Sequence, residues 1–170
     1  MTGTHMIVLP GGGYAAHAAN EAEPIAGWLG GFSAGGHLAG LAALAPGAGP
    51  ADGVQFAVLG YAITSMETET YRPSRVILLG EDASPEVRRS ASLDALVTPH
   101  APPFFLWHTA EDIYVPPEHT DRFATALAAN GVPHAVHVFA HGPHSLGLAE
   151  GAGDVATWTT LAASWIREHT

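Results

Sequence analysis

Gly31-Phe32-Ser33-Ala34-Gly35-Gly36 is the stretch of this chain whose reading decides the fold. A serine with a glycine two residues to either side fits a sharp strand-to-helix turn that pushes a hydroxyl into a cleft. Glycine leaves room there for a strained backbone that a β-carbon would crowd. The pattern recurs by chance, so its surroundings matter. Upstream, the apolar run Met6-Ile7-Val8-Leu9 reads as a strand and feeds Pro10-Gly11-Gly12-Gly13-Tyr14, a loop whose backbone N–H groups can stabilise an oxyanion. Downstream, an aspartate and a histidine complete the order Ser, Asp, His. Together these features imply hydrolysis through a nucleophilic serine.

The remaining chain alternates strand and helix signals. Asn20–Leu29 reads as a helix: Asn20 can cap it, Glu23 sits at the capping-box position, and Ile25, Trp28 and Leu29 share one face. Gly35–Ala45 reads as a helix running on from the serine, with Leu38, Leu41 and Ala45 on one stripe and Pro46-Gly47 as its stop. Val54–Leu59 is a strand with too little polar alternation for an exposed face. Ser84-Pro85-Glu86 opens another helix, and Phe104–Thr109 and His134–Phe139 are two further strands. Val155, Trp158, Leu161, Ala162, Trp165 and Ile166 mark the most amphipathic helix. Strands separated by helices imply a mostly parallel sheet in a layered α/β domain, with residues 1–170 forming one unit.

Two side chains fit the roles of acid and base. Asp112 follows the strand Phe104–Thr109 within Thr109-Ala110-Glu111-Asp112, and His144 follows His134–Phe139 within His141-Gly142-Pro143-His144. Both therefore lie on loops at the carboxyl ends of strands, where parallel sheets build their sites. His144 is placed to take the Ser33 proton and Asp112 to hold its imidazole in the required tautomer. Glu111 is the nearest rival to Asp112 and should point the other way; Asp94 precedes the strand. The histidines His134, His137, His141 and His144 invite a metal reading, but Gly142-Pro143 forbids a helix between the last two. No carboxylate stands at ligand spacing, so no metal is expected.

Composition excludes other classes. The chain of 170 residues carries 6 cationic side chains, all arginine, against 16 acidic ones, for a net charge of −10. That balance repels a phosphate backbone and argues against nucleic-acid binding. Apolar residues make up 47% and mean hydropathy is +0.16, which argues for a packed core over disorder. No apolar run has the length of a membrane span and no signal peptide is evident, so a cytoplasmic protein is expected. Cysteine is absent, which removes disulfides and a thiol nucleophile.

At Leu9–Tyr14, Glu21–Leu29, Gly31–Leu38, Phe105–Pro116 and Gly142–His144 the chain resembles the α/β-hydrolase superfamily, in its bacterial esterase/lipase branch of acetyl-xylan esterases, feruloyl-esterase-like proteins and hormone-sensitive-lipase relatives. The resemblance implies a minimal α/β-hydrolase-like fold of about four to five strands without a cap domain. It implies a serine carboxylesterase acting on small, short-chain esters through an acyl-enzyme. Ser33 would be the nucleophile, Asp112 the acid and His144 the base, with the N–H groups of Gly12, Gly13 and Ala34 as oxyanion donors. No cofactor is implied. The alternative is a non-catalytic remnant or scaffold; a peptidase or other acyl-transferring serine enzyme would share the machinery.

The chain departs from the resembled pattern between residues 29 and 31. There the family runs from a helix like the one ending at Trp28-Leu29 through a strand and a helix to a second strand that delivers the serine. Here Gly30 joins directly to Gly31-Phe32-Ser33. With only four strands readable, the one supporting the nucleophile is expected to be missing. Tyr14–Gly30 is then expected to leave the family's path, and a homodimer or higher homo-oligomer to cover the uncovered sheet.

Overall fold

A computed structural model describes residues 8–9, 11–14, 30–45 and 54–169. Its sheet contains β1 (Val8–Leu9), β2 (Gly30–Phe32), β3 (Ala57–Gly60), β4 (Phe104–Thr109) and β5 (His134–Phe139), in that spatial order. Every neighbouring pair is parallel. The helices are α1 (Ser33–Leu44), α2 (Arg72–Leu79), α3 (Pro85–Ser90), α4 (Leu93–Leu96), α5 (Glu118–Ala129) and α6 (Trp158–His169), the last preceded by a 3₁₀ turn at Gly153–Thr157. This is a parallel α/β-hydrolase-like sheet with helices on both faces, and no cap stands among the described residues.

The strand that the sequence reading counts as missing is present. Gly30–Phe32 lies between β1 and β3, with Gly30 opposite Val8 on one side and Val58 on the other. Two of its three residues are glycine, which leaves no strand signal to read, so the ladder on both sides defines it. The gap on which the expected oligomer rested is therefore filled within one chain. The expected helix Asn20–Leu29, the path of residues 15–29 and the first residues of the strand Met6–Leu9 lie outside the described residues.

Alternation along β3 and β4 divides the core. Val58, Phe105 and Trp107 face the α6 side and pack with Phe32, Tyr61, Trp158, Ala162 and Trp165. Ala57, Leu59, Phe104 and Leu106 face the other side, with Ala39 and Ala43 of α1 and Phe123 and Leu127 of α5. The amphipathic stripe foreseen for α6 is borne out: Val155, Trp158, Ala162 and Trp165 are buried. The stripe foreseen for α1 is not. Leu38 is 52% exposed, and the buried positions include Ala34, Gly36, His37, Ala39, Gly40 and Ala43. Small side chains let α1 lie close against the sheet, so bulk does not mark its buried face. Ser84 caps α3 by accepting from the Val87 N–H (3.3 Å). No described helix is long and apolar enough to cross a membrane.

Candidate active site

The turn from β2 into α1 is built by crowding. A Cβ on Gly31 would stand 2.3 Å from the Gly35 carbonyl oxygen, so only glycine permits the strand end to touch the helix start. Phe32 is buried and stacks on Tyr61, with ring centroids 5.5 Å apart. Ser33 then takes φ +53°, the left-handed region that a serine adopts only under constraint. Its carbonyl accepts from the Ile63 N–H (3.2 Å), which ties the turn to the segment after β3. The side chain is forced off the regular helical direction as a result.

The loop after β5 meets this turn. His144 Nε2 lies 2.9 Å from Ser33 Oγ, and His144 Nδ1 lies 2.5 Å from Asp112 Oδ2. A carboxylate only accepts, so Nδ1 carries the ring proton and Nε2 is left to accept the Ser33 hydroxyl. Tyr61 packs edge-on against the imidazole at 4.9 Å. The same Tyr61 accepts from the Gly147 N–H (2.9 Å), and Trp158 Nε1 donates to the Gly147 carbonyl (3.1 Å), which moors the loop to the aromatic core.

Asp112 is buried and fully engaged. Its Oδ1 accepts from the N–H groups of Tyr114 (3.0 Å) and Val115 (2.9 Å). Its Oδ2 lies 3.3 Å from Nε2 of the buried His108 in addition to His144. Burial pushes the carboxyl up, but hydrogen bonds from His108, His144 and the Val115 N–H, with the charge interaction with His144, outweigh it and hold the group well below the usual carboxylate range. Glu111 points elsewhere, as expected. Its carboxylate accepts from His141 Nδ1 (3.0 Å) and the Gly142 N–H (3.0 Å), bracing the loop that carries His144.

Gly12 and Gly13 take φ +124° and +60° and line one cleft with Ser33 and His144. Ala34 is the second residue of α1, where N–H groups lack intrahelical acceptors. The structure thus brings all six anticipated residues to one place. The cleft encloses about 440 Å³ and also carries Tyr71, Ser74 and Tyr114, which sequence reasoning did not single out. It also missed the hydrogen bond from Tyr14 to His37, although both residues stand inside the quoted motifs.

The family model of the prolyl oligopeptidase family matches residues 15–170, a span that begins immediately after the glycine loop. Among curated proteins, endo-1,4-beta-xylanase B of Butyrivibrio fibrisolvens is 35% identical over 131 residues. That alignment takes in 70% of this chain and 20% of that protein, so the chain spans one fifth of the relative's length. Among solved structures, an acetyl ester-xyloside bifunctional hydrolase from Caldicellulosiruptor lactoaceticus superposes with a TM-score of 0.90 at 30% identity, covering 99% of this chain and 84% of the other. A carboxylesterase from Lactobacillus plantarum shares the fold at TM-score 0.68 and 23% identity, over 96% of this chain and 84% of that one.

Proposed function

This chain belongs to the prolyl oligopeptidase family, and from that premise we propose that it is a serine carboxylesterase that cleaves short-chain, acetyl-type esters. The observation that carries the reading is the unbroken hydrogen-bonded line from Ser33 Oγ through the His144 ring to Asp112. A remnant without activity would gain nothing from holding Ser33 at a strained φ.

In the proposed cycle, Ser33 Oγ attacks the ester carbonyl carbon while His144 Nε2 takes the hydroxyl proton. The carbonyl π electrons move to oxygen, which in this reading accepts from the N–H groups of Gly12, Gly13 and Ala34. Collapse of that oxyanion breaks the bond to the alkoxy oxygen. His144 returns its proton to that oxygen, and the alcohol leaves. Water then attacks the acyl-Ser33 carbonyl, giving one proton to His144. The second collapse releases the carboxylic acid, and His144 restores the proton to Ser33. Asp112 stays ionised throughout and stabilises the imidazolium, in keeping with its lowered pKa.

Hydrolysis of p-nitrophenyl acetate tests the reading. Ser33→Ala and His144→Ala should each remove most of the turnover, on the order of 10⁴–10⁶ in kcat, and the double variant should be little worse. A serine-reactive phosphonate should add to the intact protein at Ser33 alone. Retained turnover in Ser33→Ala overturns the mechanism.

A further inference from the structure

Ser74, the third residue of α2, has a hydroxyl that the fold leaves unused. The residue is 2% exposed, and its backbone N–H donates to the Tyr71 carbonyl (3.0 Å), but its Oγ has no hydrogen-bond partner among the described residues. Several buried hydroxyls are paired: Thr64 donates to the His119 carbonyl, Ser92 to the Arg88 carbonyl, and Thr120 meets His108 Nδ1, whereas Thr70 Oγ1, which lines no part of this cleft, is buried without a partner. Ser74 Oγ is not among the fully enclosed unpartnered atoms, so although the residue is buried its hydroxyl still opens to the cleft that Ser74 lines.

Its position says what that hydroxyl can meet. Ser74 lines the same cleft as Ser33, His144, Gly12 and Gly13. Its Oγ lies 3.1 Å from where a Cβ on Gly13 would stand, so glycine at 13 permits φ +60° and also keeps this hydroxyl uncovered. The α2 N-terminus, where the helix dipole is positive, meets the cleft at the same residue. A polar hydrogen and a positive helix end therefore border the loop whose N–H groups the proposed cycle uses as oxyanion donors.

We propose that Ser74 is a further catalytic residue, its Oγ–H donating to the ester carbonyl oxygen beside the Gly13 N–H as that oxygen becomes negative. The inference rests on the serine-esterase reading. The test compares wild type, Ser74→Ala, Ser74→Cys and Ser33→Ala in the full chain, using p-nitrophenyl acetate and a trifluoromethyl ketone as tetrahedral analogue. Ser74→Ala should lose about 100-fold in kcat with KM within about threefold, as removal of one oxyanion donor does. Its inhibition constant for the ketone should weaken by a matching factor. Ser74→Cys, close in size and a weaker donor, should retain the melting temperature and lose rate in the same direction, which covers the case in which the alanine variant folds poorly. An unchanged kcat in either folded variant, or a rise in KM alone, overturns the role of Ser74 while an inactive Ser33→Ala leaves the esterase reading standing. Full activity in Ser33→Ala overturns both.

Discussion

Tyr14 donates its hydroxyl proton to His37 Nδ1 across 2.7 Å, joining the glycine loop after β1 to the helix that begins at Ser33. The direction follows from the other ring nitrogen: His37 Nε2 faces the Ala91 carbonyl at 2.8 Å, which only accepts, so Nε2 carries the proton. Burial lowers the His37 pKa, against the pull of that carbonyl, and burial raises that of Tyr14, so both stay neutral and the bond persists near neutral pH. Tyr14 holds φ +66°, a conformation that needs an anchor. Tyr14→Phe should cost about 1 kcal/mol of stability and lower kcat about tenfold, because Gly12 and Gly13 lose their tether to α1. Equal kcat in the two proteins would show that the loop is held elsewhere.

The difference between what the sequence revealed and what it hid is physical. Gly31, Ser33, Asp112 and His144 were legible because their chemistry demands particular residue types in a particular order at strand ends. The β2 strand was hidden, since Gly30 and Gly31 carry no side chains to alternate. The buried face of α1 was misread, since alanine and glycine bury as well as leucine where a helix must approach a sheet closely. Helix α5 gave little signal because its buried face includes His119 and Thr120 beside Phe123 and Leu127. The partnership of Tyr14 with His37 and the placement of Ser74 beside Gly13 are tertiary, and no local pattern encodes them.

Glu111 offers a way to disturb His144, the proposed base, without touching it. Its carboxylate accepts from His141 and from the Gly142 N–H, and the pairing with His141 raises that histidine's pKa. Glu111→Gln keeps the shape, removes the charge and weakens both bonds. Its exposed position should leave the melting temperature unchanged, while kcat falls roughly threefold to tenfold because His144 is less well placed. In wild type, raising the salt concentration should erode rate in the same direction. A variant with wild-type kcat at all salt concentrations would show that Tyr61 and Trp158 suffice to hold the loop.

Under the proposed esterase reading, the shape of the cleft predicts a preference for short acyl groups. About 440 Å³ lined by Tyr71, Ser74, Tyr114 and the glycine loop is open at its rim, where Ile77 and Tyr114 are exposed. A long chain would find little enclosed apolar wall from which to draw binding energy. Across a p-nitrophenyl ester series, kcat/KM should be highest for acetyl and butyryl and fall for acyl chains of about ten carbons or more. A steady climb with chain length would mean that the chain binds along a surface outside this cleft.

His119 ties acid stability to the segment that follows β3. Its Nδ1 accepts from the N–H groups of Thr64 (3.1 Å) and Ser65 (3.2 Å), and its Nε2 donates to the Glu69 carbonyl (2.9 Å), so only the neutral ring fits. Burial lowers its pKa to about 4, with the Glu69 carbonyl pulling the other way. Because the folded value lies below the unfolded value of about 6.5, the unfolded chain binds more protons between those limits. This contribution is therefore complete above about pH 6.5 and is lost as pH falls toward 4, to a total of about 3 kcal/mol. Chemical denaturation at pH 7, 6, 5 and 4.5 should show that decline in wild type. His119→Gln, which can mimic the acceptor and donor without titrating, should be less stable at pH 7 and show a shallower slope below it. An identical slope in the two proteins would assign the acid sensitivity to other groups.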